Sequence, residues 1–272
     1  MEEYYFLFAL AFVWIIFAVF QDSKTREISN WLNFSLIAFV LAYRIFYSIY
    51  SKNVNFFLFG LGGVLLFVLI GYICYYGKLF AGGDAKLLMG LGGILPYQNL
   101  MDYLYLGMGF IFLLFLVGAI YTLIYSGVLV LLNKKQFTKE FKSIISKFKL
   151  RFYFSISMFL VLIIILIKIQ FSLFIFALAI LFVTPLIYFY SKAIENSCMI
   201  KLVSPNKLTE GDWLEKDVKI GNKYIKKSVH GLSKRDIEFL KKKKKKVWIK
   251  EGIPFSPAFL ISFLLMVFFF LV

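Results

Sequence analysis

Apolar residues run almost unbroken through about 4–20, 31–50, 54–77, 101–132 and 254–272, each stretch long enough to cross a bilayer as one helix. The stretch 152–190 is too long for a single crossing. Lys168 and Gln170 interrupt its middle, so it reads as a hairpin of two spans, about 152–167 and 171–190. One further segment is short. Asp84 to Leu95 is rich in glycine and stops at Pro96. Between these runs lie two polar, basic stretches, 134–151 and 191–253. The pattern predicts an all-α polytopic membrane protein with about six to eight transmembrane helices. A small cytosolic domain of marginal core size precedes the last helix. Five parts follow: a membrane core at 1–133, a basic cytosolic loop at 134–151, a transmembrane hairpin at 152–190, a cytosolic domain at 191–253 and a final helix at 254–272.

Composition agrees with the pattern. The 272 residues are 61% apolar and 20% aromatic, with a mean hydropathy of +0.82, outside the range of an ordinary soluble domain. The formal charge of +16 matters less than its distribution. Of the basic residues, 7 lie in 134–151 and 17 in 191–253, while 95–133 and 254–272 hold none. That is the positive-inside pattern of a multi-pass protein and not a nucleic-acid face. Placing both basic blocks in the cytosol fixes the rest. If 84–95 crosses, the loops at 21–30 and 78–84 are cytosolic, and 51–53 and the N-terminus lie outside. The first span opens with Glu2 and Glu3 and lacks a small-residue cleavage site, so it reads as a retained anchor in the cell membrane. Cys74 and Cys198 are too few and too far apart in type of surroundings for a disulfide, and no metal-ligand spacing occurs. Ser233, three residues before Asp236, suits a helix start running into Phe239 and Leu240.

The chemistry concentrates in two carboxylates. Asp22 closes the first apolar span, and Asp84 opens the short segment in Phe80-Ala81-Gly82-Gly83-Asp84-Ala85-Lys86. An acid beside hydrocarbon is costly and is a functional candidate by default. An even number of crossings brings both to one face. Two carboxyls across a water share one proton, because like charges at close range resist ionising together. Such a pair can hydrolyse a peptide bond without a covalent intermediate or a metal. Rival chemistries lack parts. The single histidine, His230, lies in a charged segment, and neither a His-Glu-x-x-His nor a Gly-x-Ser-x-Gly motif occurs. Arg26 and Lys86 flank the acids as topology anchors or as partners. Arg44, inside the second span, is expected to face the bundle or snorkel outward. Lys241–Lys246 fits topology and attraction to anionic lipid. The twin clusters Gly60-Leu61-Gly62-Gly63 and Gly90-Leu91-Gly92-Gly93 suit close helix packing.

Asp22 with Arg26-Glu27-Ile28 and Asn30-Trp31-Leu32, followed by Gly82-Gly83-Asp84-Ala85-Lys86, resembles the archaeal preflagellin and type IV prepilin peptidases, which are GxGD-type membrane aspartic proteases. The Gly-Ile-Pro-Phe-Ser-Pro-Ala run at 252–258 is similar to the same family. The resemblance covers about 1–133 and 191–272. It implies that Asp22 and Asp84 are catalytic, with Gly82, Gly83, Lys86 and Arg26 in support, and that no cofactor is needed. It also implies the substrate: a preflagellin or prepilin with a short basic leader joined to a hydrophobic helix, cut at the cytosolic face. Membrane lipids are the other expected partners, and nucleic acid is not. Ala81 stands where the family pattern has a glycine, a change that matters if the backbone there has positive φ. Bacterial relatives carry a cysteine-rich insert and methylate the new N-terminus. The cysteine set is missing here, so no methyltransferase activity is expected. Three alternatives read the same acids otherwise: an ion or proton-coupled transporter, a signal-peptide-peptidase-like intramembrane protease, and an assembly scaffold. A transporter relay prefers acids near mid-membrane, and the signal-peptide-peptidase group places its first aspartate inside a span after tyrosine.

Overall fold

The computed structural model describes residues 2–168, 173–220, 223–228 and 231–271. The chain divides into two units, residues 1–124 with 253–272, and residues 125–252.

The first unit is a helical bundle. It contains α1 (Glu2–Thr25), α2 (Asn30–Tyr50), α3 (Val54–Tyr76), α4 (Gly82–Leu91), the short α5 (Leu100–Asp102) running through a π-helical stretch (Tyr103–Met108) into α6 (Gly109–Leu132), of which the part up to residue 124 belongs to this unit, and, at the far end of the chain, α11 (Ser256–Leu271). Four helices among the described residues are long and apolar enough to cross a membrane: 3–25, 30–50, 54–76 and the continuous 100–132. Ser256–Phe270 is a shorter apolar helix. Large apolar side chains such as Phe20, Trp31, Phe46, Leu65 and Phe112 point outward. An apolar exterior of that extent belongs in lipid and not in water. The protein is thus a membrane protein of several apolar helices.

The short helix α4 lies alongside α3. Ten residues rise only about 15 Å, but the turns after it continue in the same direction along α3. A Cβ on Gly71 would meet Ala85 O at 3.0 Å, and one on Gly63 would meet Gly92 O at 2.3 Å. Segment 82–97 therefore runs antiparallel to α3, and the two glycine clusters are where the backbones touch. At its far end Arg44, fully buried, donates to Gly93 O (2.6 Å), Leu95 O (2.8 Å) and Phe56 O (2.7 Å). Its guanidinium also lies over the rings of Phe56 and Tyr4. Tyr4, at the start of α1, donates to Tyr97 O. Segment 82–97 thus begins beside the end of α1 and finishes beside its start. Arg44 faces the bundle, and the space for it comes from Gly60, where a Cβ would lie 2.0 Å from Arg44 Cδ.

The second unit holds α7 (Lys134–Lys147), α8 (Lys149–Lys168) and α9 (Leu173–Ile194), then a small sheet domain. The basic stretch 134–151 is helical, with Phe137 and Phe141 packed on Phe189 and Ile144. The break proposed at Gln170 lies outside the described residues. The all-α expectation fails in 200–250. Strands β1 (Ile200–Val203), β2 (Trp213–Leu214) and β5 (Val247–Lys250) form an antiparallel sheet in the order β1-β5-β2, and β3 (Val218–Ile220) pairs with β4 (Lys223–Ile225). Short alternating runs such as Val247-Trp248-Ile249-Lys250 carry a period of two, and their inner residues Val247 and Ile249 meet Leu214, Ile225 and Leu232 in one core. Helix α10 (Lys234–Lys242) closes that core with Ile237 and Leu240. Its N-cap is Ser233, which accepts from Asp236 N and donates to Asp236 Oδ2, as the sequence pattern suggested. His230 lies outside the described residues.

Candidate active site

Asp22 sits one turn from the end of α1 and is 7% exposed, and Asp84 in the first turn of α4 is 8% exposed. Each is delivered by local sequence. Helix α1 continues through Asp22 and ends at Arg26, whose backbone turns left-handed (φ 61°) while its N–H still donates to Asp22 O at 2.9 Å. Ser29 then caps α2, accepting from Leu32 N. Helix α4 starts after Ala81, with Gly82 and Gly83 as its first two residues and Asp84 as its third. That third position lets a short acid reach back to the cap residue's N–H, and the Asp84 carboxyl takes a backbone hydrogen bond from Ala81. Asp22 lies close enough that its charge acts on Asp84. The positive end of the α4 dipole favours negative charge at this place.

The supporting residues sort themselves by contact. Gly83 is where α4 meets the α1–α2 connection: a Cβ there would lie 3.1 Å from Ile28 Cβ and 3.3 Å from Ile28 N. Gly82 is looser, with only a Tyr75 ring atom at 3.6 Å. Ala81 has φ −68° and ψ 162°, ordinary extended backbone that any residue adopts. The substitution of alanine for the family's glycine is therefore without strain. Lys86 Nζ donates to Asn30 Oδ1 at 2.6 Å and lies over the Phe34 ring, so it ties α4 to the start of α2. Arg26 is half-buried just past Asp22.

Two residues at the site carry no signal in the sequence motifs. Asn33, fully buried on α2, donates through Nδ2 to Gly83 O at 3.1 Å and so holds the Gly-Gly-Asp turn. Ser256, fully buried at the start of α11, donates its backbone N–H to Asp22 Oδ2 at 3.1 Å across 234 positions of sequence. The run 252–258 had been singled out by its resemblance, but nothing in it announces a main-chain donor. Phe80 stacks against Phe115 and meets Phe255 and Phe259, closing the apolar wall beside the acids. Cys74 is free and buried. Among the described residues, no group of three His, Cys, Asp or Glu side chains is placed to hold a metal ion.

A known family aligns with the part of the chain that holds both acids. The profile of the type IV leader peptidase family matches residues 9–123, a span that holds Asp22, Asp84 and Asn33 and stops short of 252–258. A preflagellin peptidase of Methanocaldococcus jannaschii is 28% identical over 108 residues, 36% of this chain and 46% of that protein. One from Methanococcus maripaludis is 29% identical over 93 residues (34% and 40%), and one from Methanococcus voltae 29% over 91 residues (33% and 38%). The chain thus aligns with less than half the length of these relatives. No solved structure matches it. The paired acids, the Gly-Gly-Asp turn and the match to the type IV leader peptidase profile coincide on one stretch, residues 9–123.

Proposed function

We propose that the protein is a membrane aspartic endopeptidase that removes the short basic leader of preflagellins or type IV prepilin-like proteins. The observation that carries this reading is the pair of buried carboxyls, Asp22 and Asp84, brought together from helices α1 and α4. Such a pair carries one proton. Water between the two carboxyls gives a proton to the ionised one as its oxygen attacks the scissile carbonyl carbon. The protonated acid gives its proton to the carbonyl oxygen, forming a gem-diol. Collapse returns one diol proton to that acid and delivers the other acid's proton to the leaving nitrogen. The C–N bond breaks, and the pair regains its single proton. Gly83, Asn33, Lys86 and Arg26 serve as supporting residues that set the position of the turn and of the end of α1. The three relatives' names, preflagellin peptidase, support this substrate class.

The reading includes an orientation. With six to eight crossings, 84–95 among them, the basic blocks at 134–151 and 191–253 and the acids share the cytosolic side, where a basic leader stays. The end-to-end course of 82–97 supports counting it as a crossing. The substrate's hydrophobic helix would lie in the lipid beside the bundle. The deciding experiment is cleavage of a preflagellin by membranes carrying the wild type, Asp22→Asn or Asp84→Asn. Each variant is expected to insert normally and to lose at least about a hundredfold in rate. Full activity in either would remove the aspartic mechanism.

A further inference from the structure

Helix α11 begins with Ser256, Pro257 and Ala258. Its first turn therefore has few main-chain donors to offer. Pro257 has no N–H, and Ala258 N is used locally, donating to Phe255 O at 2.9 Å. The remaining donor, Ser256 N, is buried and goes to Asp22 Oδ2 at 3.1 Å. Asp84 has the matching arrangement at the start of α4, with the Ala81 N–H on its carboxyl. Each acid of the pair thus takes one main-chain donor from the beginning of a helix. Lys86, the nearest lysine on α4, is engaged with Asn30.

We infer that the backbone N–H of Ser256 is a positioning donor of the catalytic pair: it fixes the Asp22 carboxyl and helps the pair hold its single negative charge in a buried site. This rests on the proposed peptidase reading. A buried carboxylate needs donors or opposite charge to stay ionised, and helix starts supply both a hydrogen and a favourable dipole. The other charged or titratable groups near Asp22 on the elements around it are Asp84 and Lys86 of α4, Lys24 of α1 with Arg26 and Glu27 just beyond it, and Tyr72, Cys74, Tyr75 and Tyr76 of α3 with Lys78 just past it. Helix α11 carries none, and α2 carries none from Asn30 to Leu41. Removing the Ser256 donor therefore takes from Asp22 a contact that nothing on α11 replaces. The arrangement also accounts for a sequence feature: proline at 257, next to the site, silences a neighbouring donor without disturbing the helix start.

Ser256→Pro deletes the N–H while keeping a residue that suits the first position of a helix. Phe255, just before the helix, already occupies a place where extended backbone is the norm. The measurement is the pH dependence of kcat for cleavage of a preflagellin by full-length protein in membranes. The acidic limb is expected to move to higher pH by about one unit, the size of one charge-assisted hydrogen bond, with about a tenfold loss of rate on the acidic side. A second variant, an α-hydroxy acid at position 256 that exchanges the N–H for an ester oxygen, should give the same shift and decides the matter if the proline variant does not fold. Equal loss at every pH, or a limb unmoved in both variants, overturns the inference. If Asp22→Asn or Asp84→Asn retains full activity, the peptidase mechanism itself fails. An unmoved limb with both aspartate variants inactive sinks only the role of Ser256.

Discussion

At the scale of single residues, Gly83 and Gly82 separate cleanly although they adjoin. Gly83 lies against the Ile28 backbone, and a methyl group there needs the α1–α2 connection to give way by a few tenths of an ångström. That movement would be passed straight to Asp84, the next residue. Gly83→Ala is therefore expected to lower the cleavage rate by about 10- to 100-fold, since small misplacements of a catalytic group carry costs of that order. Gly82→Ala should stay within a few-fold of wild type, because only a ring edge of Tyr75 is near. Parallel single-turnover assays check both. A larger effect at Gly82 than at Gly83 would contradict the packing. The two aspartates and the need for small residues beside them were legible from the chain. Asn33 was not, because an asparagine three residues into a helix reads as any polar residue until Gly83 O is found opposite its amide.

At the scale of elements, the helix ends have an unusual chemistry. Lys52, Lys78 and Arg26 adopt left-handed backbone, with φ of 54°, 60° and 61°, where glycine is the usual residue. Lys78 N donates to Tyr75 O and Leu79 N to Cys74 O, which closes the end of α3. Lys78→Gly removes the steric cost of that conformation and is expected to raise thermal stability by about 1 kcal/mol. Differential scanning in detergent would measure it, and a lowered Tm would contradict the argument. A different test addresses the course of 82–97. Single cysteines at Ser23 and Lys78, in a background lacking Cys74 and Cys198, should resist an impermeant thiol reagent in intact cells and react once the membrane is opened. Cysteines at Asn53 and Gln98 should react from outside. If Gln98 behaves like Ser23, segment 84–95 does not cross, and the pair must be rebuilt around a re-entrant turn.

At the scale of the whole molecule, the described residues bring no metal-ligand cluster together. Activity is expected to be indifferent to EDTA. A loss in chelator that zinc restores would overturn a metal-free mechanism. What the sequence by itself determined is the apolar pattern of the spans, the basic blocks and the paired acids. Hydropathy, charge and helix starts are local properties, so a run of residues states them without its neighbours. The Ser233 cap of α10 belongs to the same class. Tertiary structure alone decided the rest. The sheet of 200–250 escaped the pattern because strands of two to four residues carry only one or two alternations, too few to stand out from loop, and they exist through pairing across some fifty residues. Arg44 looked like a liability in a span until three backbone carbonyls from α3 and segment 82–97 converged on it. The Ser256 donor reaches Asp22 from 234 residues away. A main-chain N–H has no residue type, and only the fold says which acid it meets.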